Sequence, residues 1–408
     1  MSTSTYAYKV RDKAGKVVEG QLDAESEQLL VAKLRSMGYT PIDVKAQRAE
    51  TLSRDLSIPG LGANRIKLKD VAVFSRQFAT MINSGLSLLR ALYILAEQTE
   101  NKALGAVVNE VRMDVEKGSS LSAALARHPK AFNRLYVSMV KAGEVGGVLD
   151  TVLVRLADTI EKQVELRRKV KSAMTYPVVV GVLVLLIVTA MLLFIIPMFK
   201  GLYTELGGEL PMPTQILINI SSACRKFWYL IFTLEIGAAV GFKRWIHSDE
   251  GRKKWDALKL RVPVFGGLVR KTALARFSRT LAALVRSGVP ILESLDIVAD
   301  TAGNHVVSTA VRDAQTAVKQ GEGLATRLEN HPVFPPMVVQ MMAVGEETGA
   351  VDEMLDKIAD FYDQEVEATV NALTSLIEPL LIVVMGGAVG GMVIALYMPM
   401  FNIIKLIK

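Results

Sequence analysis

The chain has 408 residues, of which 50% are hydrophobic and 22% charged, with a formal net charge of +7. That much charge excludes a bundle lying wholly in lipid, and that much apolar sequence points to a membrane protein with large soluble domains. The single cysteine, Cys224, excludes an internal disulfide and leaves too few thiols for a structural zinc site. The excess Lys and Arg cluster beside apolar runs, a pattern of membrane topology and contact with acidic lipid head groups rather than of nucleic-acid binding.

From the N-terminus, Tyr6-Ala7-Tyr8-Lys9-Val10, a turn around 12–15 and Val17-Val18 predict a hairpin. A helix near 26–37 and a short strand at 39–44 complete a small β-β-α-β domain over 1–46. Residues 47–69, with Pro59, Gly60 and Gly62, predict a flexible linker. No apolar h-region occurs in residues 1–9, so nothing predicts export of the soluble sequence that precedes the first apolar run.

The next stretch occurs twice, 74–199 recurring in the same direction at 277–401. At an offset of 203, Phe74, Ser75, Arg76, Ala79, Ser84, Gly85, Leu89 and Leu92 meet Phe277, Ser278, Arg279, Ala282, Ser287, Gly288, Leu292 and Leu295. After a one-residue deletion the offset becomes 202. It then pairs Phe132, Gly143, Glu144, Gly147, Asp150, Pro177, Pro197 and Phe199 with Phe334, Gly345, Glu346, Gly349, Asp352, Pro379, Pro399 and Phe401. This is an internal duplication. Each copy reads as successive helices, broken at Ser84-Gly85, Gly118 and His128-Pro129 in the first, and at Pro290, Gly321 and His331-Pro332 in the second. Counting segments predicts roughly six helices per copy, the last running from about Val148 into the membrane.

Each copy ends in an uncharged apolar run, 177–199 and 379–404, long enough to cross a hydrocarbon core of about 30 Å. The second carries Gly386, Gly387, Gly390 and Gly391, two overlapping small-residue spacings suited to close helix approach. Parallel copies with their soluble parts on one side require one more crossing, and 227–242, flanked by Arg225/Lys226 and Lys243/Arg244, supplies it. Lys and Arg before the first span and after the second place both soluble copies in the cytoplasm. The predicted architecture is mainly α: duplicated cytoplasmic six-helix bundles with three transmembrane helices, plus the small N-terminal domain. Its segments are 70–172 and 273–374 for the helical domains and 173–200, 225–243 and 375–404 for the spans. An external loop occupies 201–224, a cytoplasmic linker 244–272 and a short tail 405–408.

Phe74-Ser75-Arg76-Gln77 with Ser84-Gly85, Gly143-Glu144 before Gly146-Gly147, the matching set from Phe277 to Gly288, Gly345-Glu346 with Gly349, and Glu378-Pro379 with Pro399 resemble one family. It is the PilC/GspF-type inner-membrane platform family of type IV pili and type II secretion, and the resemblance covers nearly the whole length. It implies a non-enzymatic, multi-pass protein of the bacterial cytoplasmic membrane that forms a homo-oligomer. It also implies coupling of a cytoplasmic hexameric assembly or retraction ATPase to the insertion of pilins or pseudopilins, beside other inner-membrane alignment subunits. The stretch Phe74 to Ala79 and the short N-terminal domain are closer to pilus members, with type II secretion as the alternative. A static scaffold and a transporter are further alternatives.

No phosphate-loop motif occurs, and His128, His247, His305 and His331 lack metal or triad spacing, so neither catalysis nor a cofactor is expected. The polar candidates for partner contact or coupling are Arg76, Gly143, Glu144, Arg279, Gly345, Glu346, Glu235, Glu378 and Pro379. For the repeated Gly-Glu pairs two readings stand: an acidic docking point, or a helix-ending glycine with a carboxylate capping the next helix, near Val148 and Val351. Glu235 interrupts the middle span, where a lone carboxylate costs roughly 2.5 to 3.5 kcal/mol. It faces either a wet groove or an inter-subunit hydrogen bond. Glu378 beside Pro379 is a snorkelling residue or a hinge contact. Pro177/Pro379 and Pro197/Pro399 are placed to start and to kink the repeated spans.

Overall fold

The computed structural model describes residues 4–11, 17–24, 27–36, 38–46, 65–198, 212–263 and 265–406. The chain divides into two units, Met1–Arg65 and Ile66–Lys408. In the first, β1 (Ser4–Arg11) pairs antiparallel with both β2 (Val17–Ala24) and β3 (Thr40–Ala46), and α1 (Glu27–Ser36) connects β2 to β3. The β1–β3 register shifts between Lys9 and Val10. Val10, Leu30 and Leu34 are buried there. The turn at 12–15 and the linker residues 47–64 lie outside the described residues.

The second unit opens with six helices of the first copy: α2 (Leu68–Asn83), α3 (Leu88–Gln98), α4 (Lys102–Glu116), α5 (Leu121–Ala126), α6 (Arg134–Gly146) and α7 (Leu149–Ala190). After α8 (Met212–His247) and α9 (Asp249–Arg261) the second copy repeats them. Its helices are α10 (Phe265–Arg286), α11 (Ile291–Thr301), α12 (His305–Lys319), α13 (Leu324–Glu329), α14 (Pro336–Thr348) and α15 (Val351–Leu406). The segment read as a linker, 244–272, is therefore mostly helix. α9 is tied to the second copy because the buried Asp256 accepts the N–H of His305 at 3.0 Å, at the start of α12.

The repeat is visible in the packing. Phe74 lies 5.6 Å from Phe132 ring to ring, and Phe277 lies 5.1 Å from Phe334. Asn101 and Asn304 both cap the third helix of their copy. The sixth helix begins where it does because Gly147 and Gly349, at φ +67° and +70°, end the fifth in a left-handed turn open to glycine at little cost. One apolar core continues from one copy into the other, with α6 and α7 meeting α10 and α11.

α7 and α15 are about 63 and 84 Å long at 1.5 Å per residue, far beyond what either bundle needs. Leu166, Val170 and Ala173 of α7 pack on Leu268, Val366, Val370 and Leu373 just below the apolar runs. Beyond that, Val178, Leu185 and Leu186 on α7 and Leu380, Val383 and Ile394 on α15 are exposed. These are the two helices long and apolar enough to cross a membrane among the described residues. The middle candidate, 227–242, is not one of them; Glu235 interrupts it and Arg225, Lys226, Lys243 and Arg244 flank it closely.

The first pair of repeated prolines acts differently from its predicted role. Pro177 and Pro379 sit inside continuous helices rather than in a first turn. Before Pro197, residues Met191–Ile195 form a π turn in which the N–H of Ile196 reaches the carbonyl of Met191. A π turn reroutes the backbone hydrogen bonds, and the Leu192 carbonyl accepts from the Ser221 hydroxyl of α8 at 2.5 Å. Thr214, also on α8, donates to the carbonyl of Ala395, so the first part of α8 touches both apolar helices. Phe227 then breaks the helical geometry of α8, at φ −112° and ψ 17°. Only the backbone of Pro399 is described, and it is helical.

Candidate functional site: the seam between the copies

In each copy an arginine of the first helix grips two carboxylates one turn apart on the sixth. Arg76 donates to Glu161 at 2.8 and 2.6 Å and to Asp158 at 2.5 Å. Arg279 donates to Asp360 at 2.9 Å and also to Asp363. The acceptors correspond at the offset of 202, so both the clamp and its spacing belong to the repeat. Arg76 holds Glu161 below its ordinary pKa through their hydrogen bond. In the second copy burial dominates, and Asp363 is pushed up despite Arg279. The exposures explain the difference, since the Arg279 side chain is 14% exposed against 39% for Arg76.

The clamps converge. Asp158 and Glu161 of the first copy line the same cavity, of about 380 Å³, as Arg279 and Asp360 of the second. Further ties cross this seam. Arg134 of α6 donates to Asp296 of α11 at 2.8 Å and also to Asp300. Arg155 of α7 donates to the carbonyl of Arg286 at 2.5 Å, and Lys169 of α7 lies 2.7 Å from Glu367 of α15. Asp296 is held low, first by its hydrogen bond from Arg134. None of these crossing residues is among the contact or coupling candidates read from the sequence. Their signal is departure from the repeat: Pro336 stands where the first copy has Arg134, and Tyr93 and Glu97 where the second has Asp296 and Asp300.

The Gly-Glu pairs have a geometry that corrects the capping expectation. Glu144 accepts the N–H groups of Leu121 and Ser122 at 2.5 and 3.0 Å, and Glu346 those of Leu324 and Ala325 at 2.6 and 3.1 Å. Each carboxylate thus closes the N-terminus of the short fourth helix, α5 or α13, and not that of the helix that follows it. Sequence spacing favoured the nearer helix, whereas α5 returns to α6 through tertiary packing. Gly143 and Gly345 permit close contact of the fifth and sixth helices. A Cβ on Gly143 would lie 3.0 Å from Cβ of Val152, and one on Gly345 3.0 Å from Cα of Val351.

The remaining candidates are not brought to the seam. Glu235 on α8 and Glu378 on α15, the latter beside the exposed Pro379, are exposed and have no hydrogen-bond or ion-pair partner among the described residues. His128 and His331 sit in the predicted turns and pair with acidic side chains. His331 lies 2.9 Å from Asp313, and His128 lies 3.6 Å from Glu110.

A duplicated helical bundle whose last helices run on as long apolar rods defines a class of membrane-associated proteins, and the comparisons make the class specific. The family model for Type II secretion system protein F matches residues 74–197 and again 277–399, and the model for its N-terminal domain matches residues 1–45. The chain is similar to the Type IV pilus assembly protein PilC of Myxococcus xanthus, with 44% identity over 98% of this chain and 95% of the relative. It is also 46% identical to PilC of Thermus thermophilus over 98% of each. The Type II secretion system protein F of Pseudomonas aeruginosa is 34% identical over 99% of this chain and 100% of the relative. The chain belongs to the PilC/GspF family, the platform proteins of type IV pilus and type II secretion machinery.

Proposed function

We propose that this chain is the inner-membrane platform of a type IV pilus machine, coupling a cytoplasmic assembly or retraction ATPase to the insertion of pilins into the filament. The observation that carries the pilus reading is full-length identity of 44 and 46% to proteins named for pilus assembly, against 34% to one named for type II secretion. Three spans, 173–200, 225–243 and 375–404, hold it in the cytoplasmic membrane with both bundles in the cytoplasm. It acts as a homo-oligomer with pilins and alignment subunits as neighbours, and without catalysis of its own.

The continuity of α7 and α15 supports a mechanical role. Each is a single helix from its bundle into its apolar run, so a push on the bundle reaches the membrane without passing through a loop. The seam joins the two rods: Lys169 meets Glu367, and Leu166 and Val170 meet Val366 and Val370. Torque applied to one copy is thereby shared with the other. Glu235, unpartnered on the middle span, takes its partner from another subunit, because a solitary carboxylate in lipid is costly.

A deletion in the native host, complemented by the intact chain, tests this reading. Loss of surface filaments by electron microscopy with normal protein secretion supports it. Lost secretion with intact filaments moves the chain to the type II system, where pseudopilins replace pilins, and no change in either overturns both readings.

A further inference from the structure

Above the clamps, towards the membrane, α7 and α10 form the main walls of an open cavity of about 420 Å³. Lys162, Arg167 and Lys171 of α7 and Arg276 of α10 line it, and none of the four has a carboxylate in ion-pair contact among the described residues. The lining also includes Arg279 and Lys259, already paired with Asp363 and Asp256. Its one carboxylate, Asp363, is therefore already engaged, by Arg279.

Arg276 is the centre of the argument. Its guanidinium is largely covered, makes no hydrogen bond among the described residues, and is disfavoured first by burial and then by Arg167. Arginine does not escape by losing its proton, and a covered charge without a counterion is costly. The chain nevertheless makes room for it. Gly303, at φ +75°, lies so close that a Cβ there would be 2.1 Å from Nη1 of Arg276.

The charge is also not repeated in the duplication, although both copies contribute to it. Arg276 and Gly303 correspond to Val73 and Glu100 in the first copy, and Lys162, Arg167 and Lys171 to Gln364, Thr369 and Leu373 in the second. The clamps, glycine turns and helix caps are repeated because both bundles need them to fold. A cationic cavity present once serves something other than folding.

We propose that this cavity binds a phosphate-bearing anion, with Arg276 and Arg167 as its principal ligands. Planar guanidinium groups match phosphate oxygens with paired hydrogen bonds. The wall also includes Leu166, Val170, Met174 and Leu268, and residues 172–198 that follow Lys171 are uncharged. Lys171 is about 9 Å along the helix from Pro177, where the apolar run begins. The head group of an anionic phospholipid can therefore present its phosphate while its chains stay beside the span, as basic pockets at the cytoplasmic ends of membrane helices do. That source rests on the membrane reading of α7, whereas the anion site itself does not.

The test uses the full chain in nanodiscs of phosphatidylcholine, in discs containing phosphatidylglycerol, and in phosphatidylcholine discs with inorganic phosphate added. Unfolding midpoint and phospholipid retention by native mass spectrometry are recorded. The wild-type midpoint rises with the anion, and Arg276→Gln weakens binding by about tenfold or more, the effect of losing one charge-assisted contact. A shift with phosphatidylglycerol alone assigns the lipid head group as the source, and an equal shift with inorganic phosphate assigns a soluble phosphate. Without either anion, Arg276→Gln unfolds at the wild-type midpoint or above it, since the variant removes an uncompensated charge; this separates loss of the site from misfolding. Arg112→Gln, which removes a surface cation paired with Glu116, retains the full shift. No shift in either anionic arm, or an undiminished one in Arg276→Gln, overturns the proposal.

Discussion

Glu144 and Glu346 occupy the same point of the two copies, and each carboxylate receives two successive backbone N–H groups at the start of the fourth helix. The short helices α5 and α13, of six residues each, have few internal hydrogen bonds, so these external acceptors matter to them. Replacing either glutamate by alanine should lower stability by about 1–2 kcal/mol, the range for losing a helix cap. Thermal unfolding of the purified variants measures it. A docking role alone would leave the midpoint unchanged while abolishing function.

The two arginine clamps should differ in weight although their chemistry is the same. Arg76 is well exposed, so Arg76→Gln should cost under about 1 kcal/mol. Arg279 is more enclosed, and its loss strands Asp363, whose carboxylate burial already disfavours; about 2 kcal/mol is expected for Arg279→Gln. Chemical denaturation of both variants compares them, and the reverse order would show that burial is not what distinguishes the clamps.

Ser75 donates to the carbonyl of Val71 at 2.7 Å and lies 3.3 Å from the buried Tyr136 phenol. Its counterpart Ser278 is fully buried with no partner for its hydroxyl among the described residues, and Val338 stands at the position of the tyrosine. Ser278→Ala should therefore be neutral or stabilising, whereas Ser75→Ala should cost about 1 kcal/mol. Differential scanning calorimetry of the pair decides it.

Asp313 receives Arg327 at 2.8 and 3.0 Å and lies 2.9 Å from His331, and these hydrogen bonds, Arg327's first, hold its pKa down at about 2 from an ordinary 3.8. A depressed carboxylate pKa contributes stability that is fully present above the unfolded value and is lost as pH falls through the folded one. The gap in unfolding midpoint between wild type and Asp313→Asn should be constant above pH 3.8 and close as pH falls towards about 2. A gap that persisted below that window would show that the two contacts act by packing rather than through the charge.

Gly143→Ala and Gly345→Ala should each destabilise by about 1–3 kcal/mol, because the added methyl must push apart two helices already in contact. Gly386→Ala, with nothing within 4 Å of its Cβ position, should leave the isolated chain unaffected. A cost there in reconstituted protein would mark an interface between copies.

The duplication, the two apolar runs and the helix breaks were determined by the sequence alone, because each depends on local chemistry: glycine where φ is positive, uncharged residues where lipid is the solvent, and identical letters at a fixed offset. Arg76 and Arg279, Gly143 and Gly345, and Glu144 and Glu346 could be selected as paired positions for the same reason. What each pair does required the tertiary structure. Glu144 closes a helix 22 residues upstream rather than the next one, and Pro177 passes through the middle of α7, because both outcomes depend on packing between distant segments. The seam was invisible to repeat matching, since Arg134, Asp296 and Arg276 are the residues that break the repeat. A duplicated sequence announces what both halves need to fold; only their docking shows where they must differ to work together.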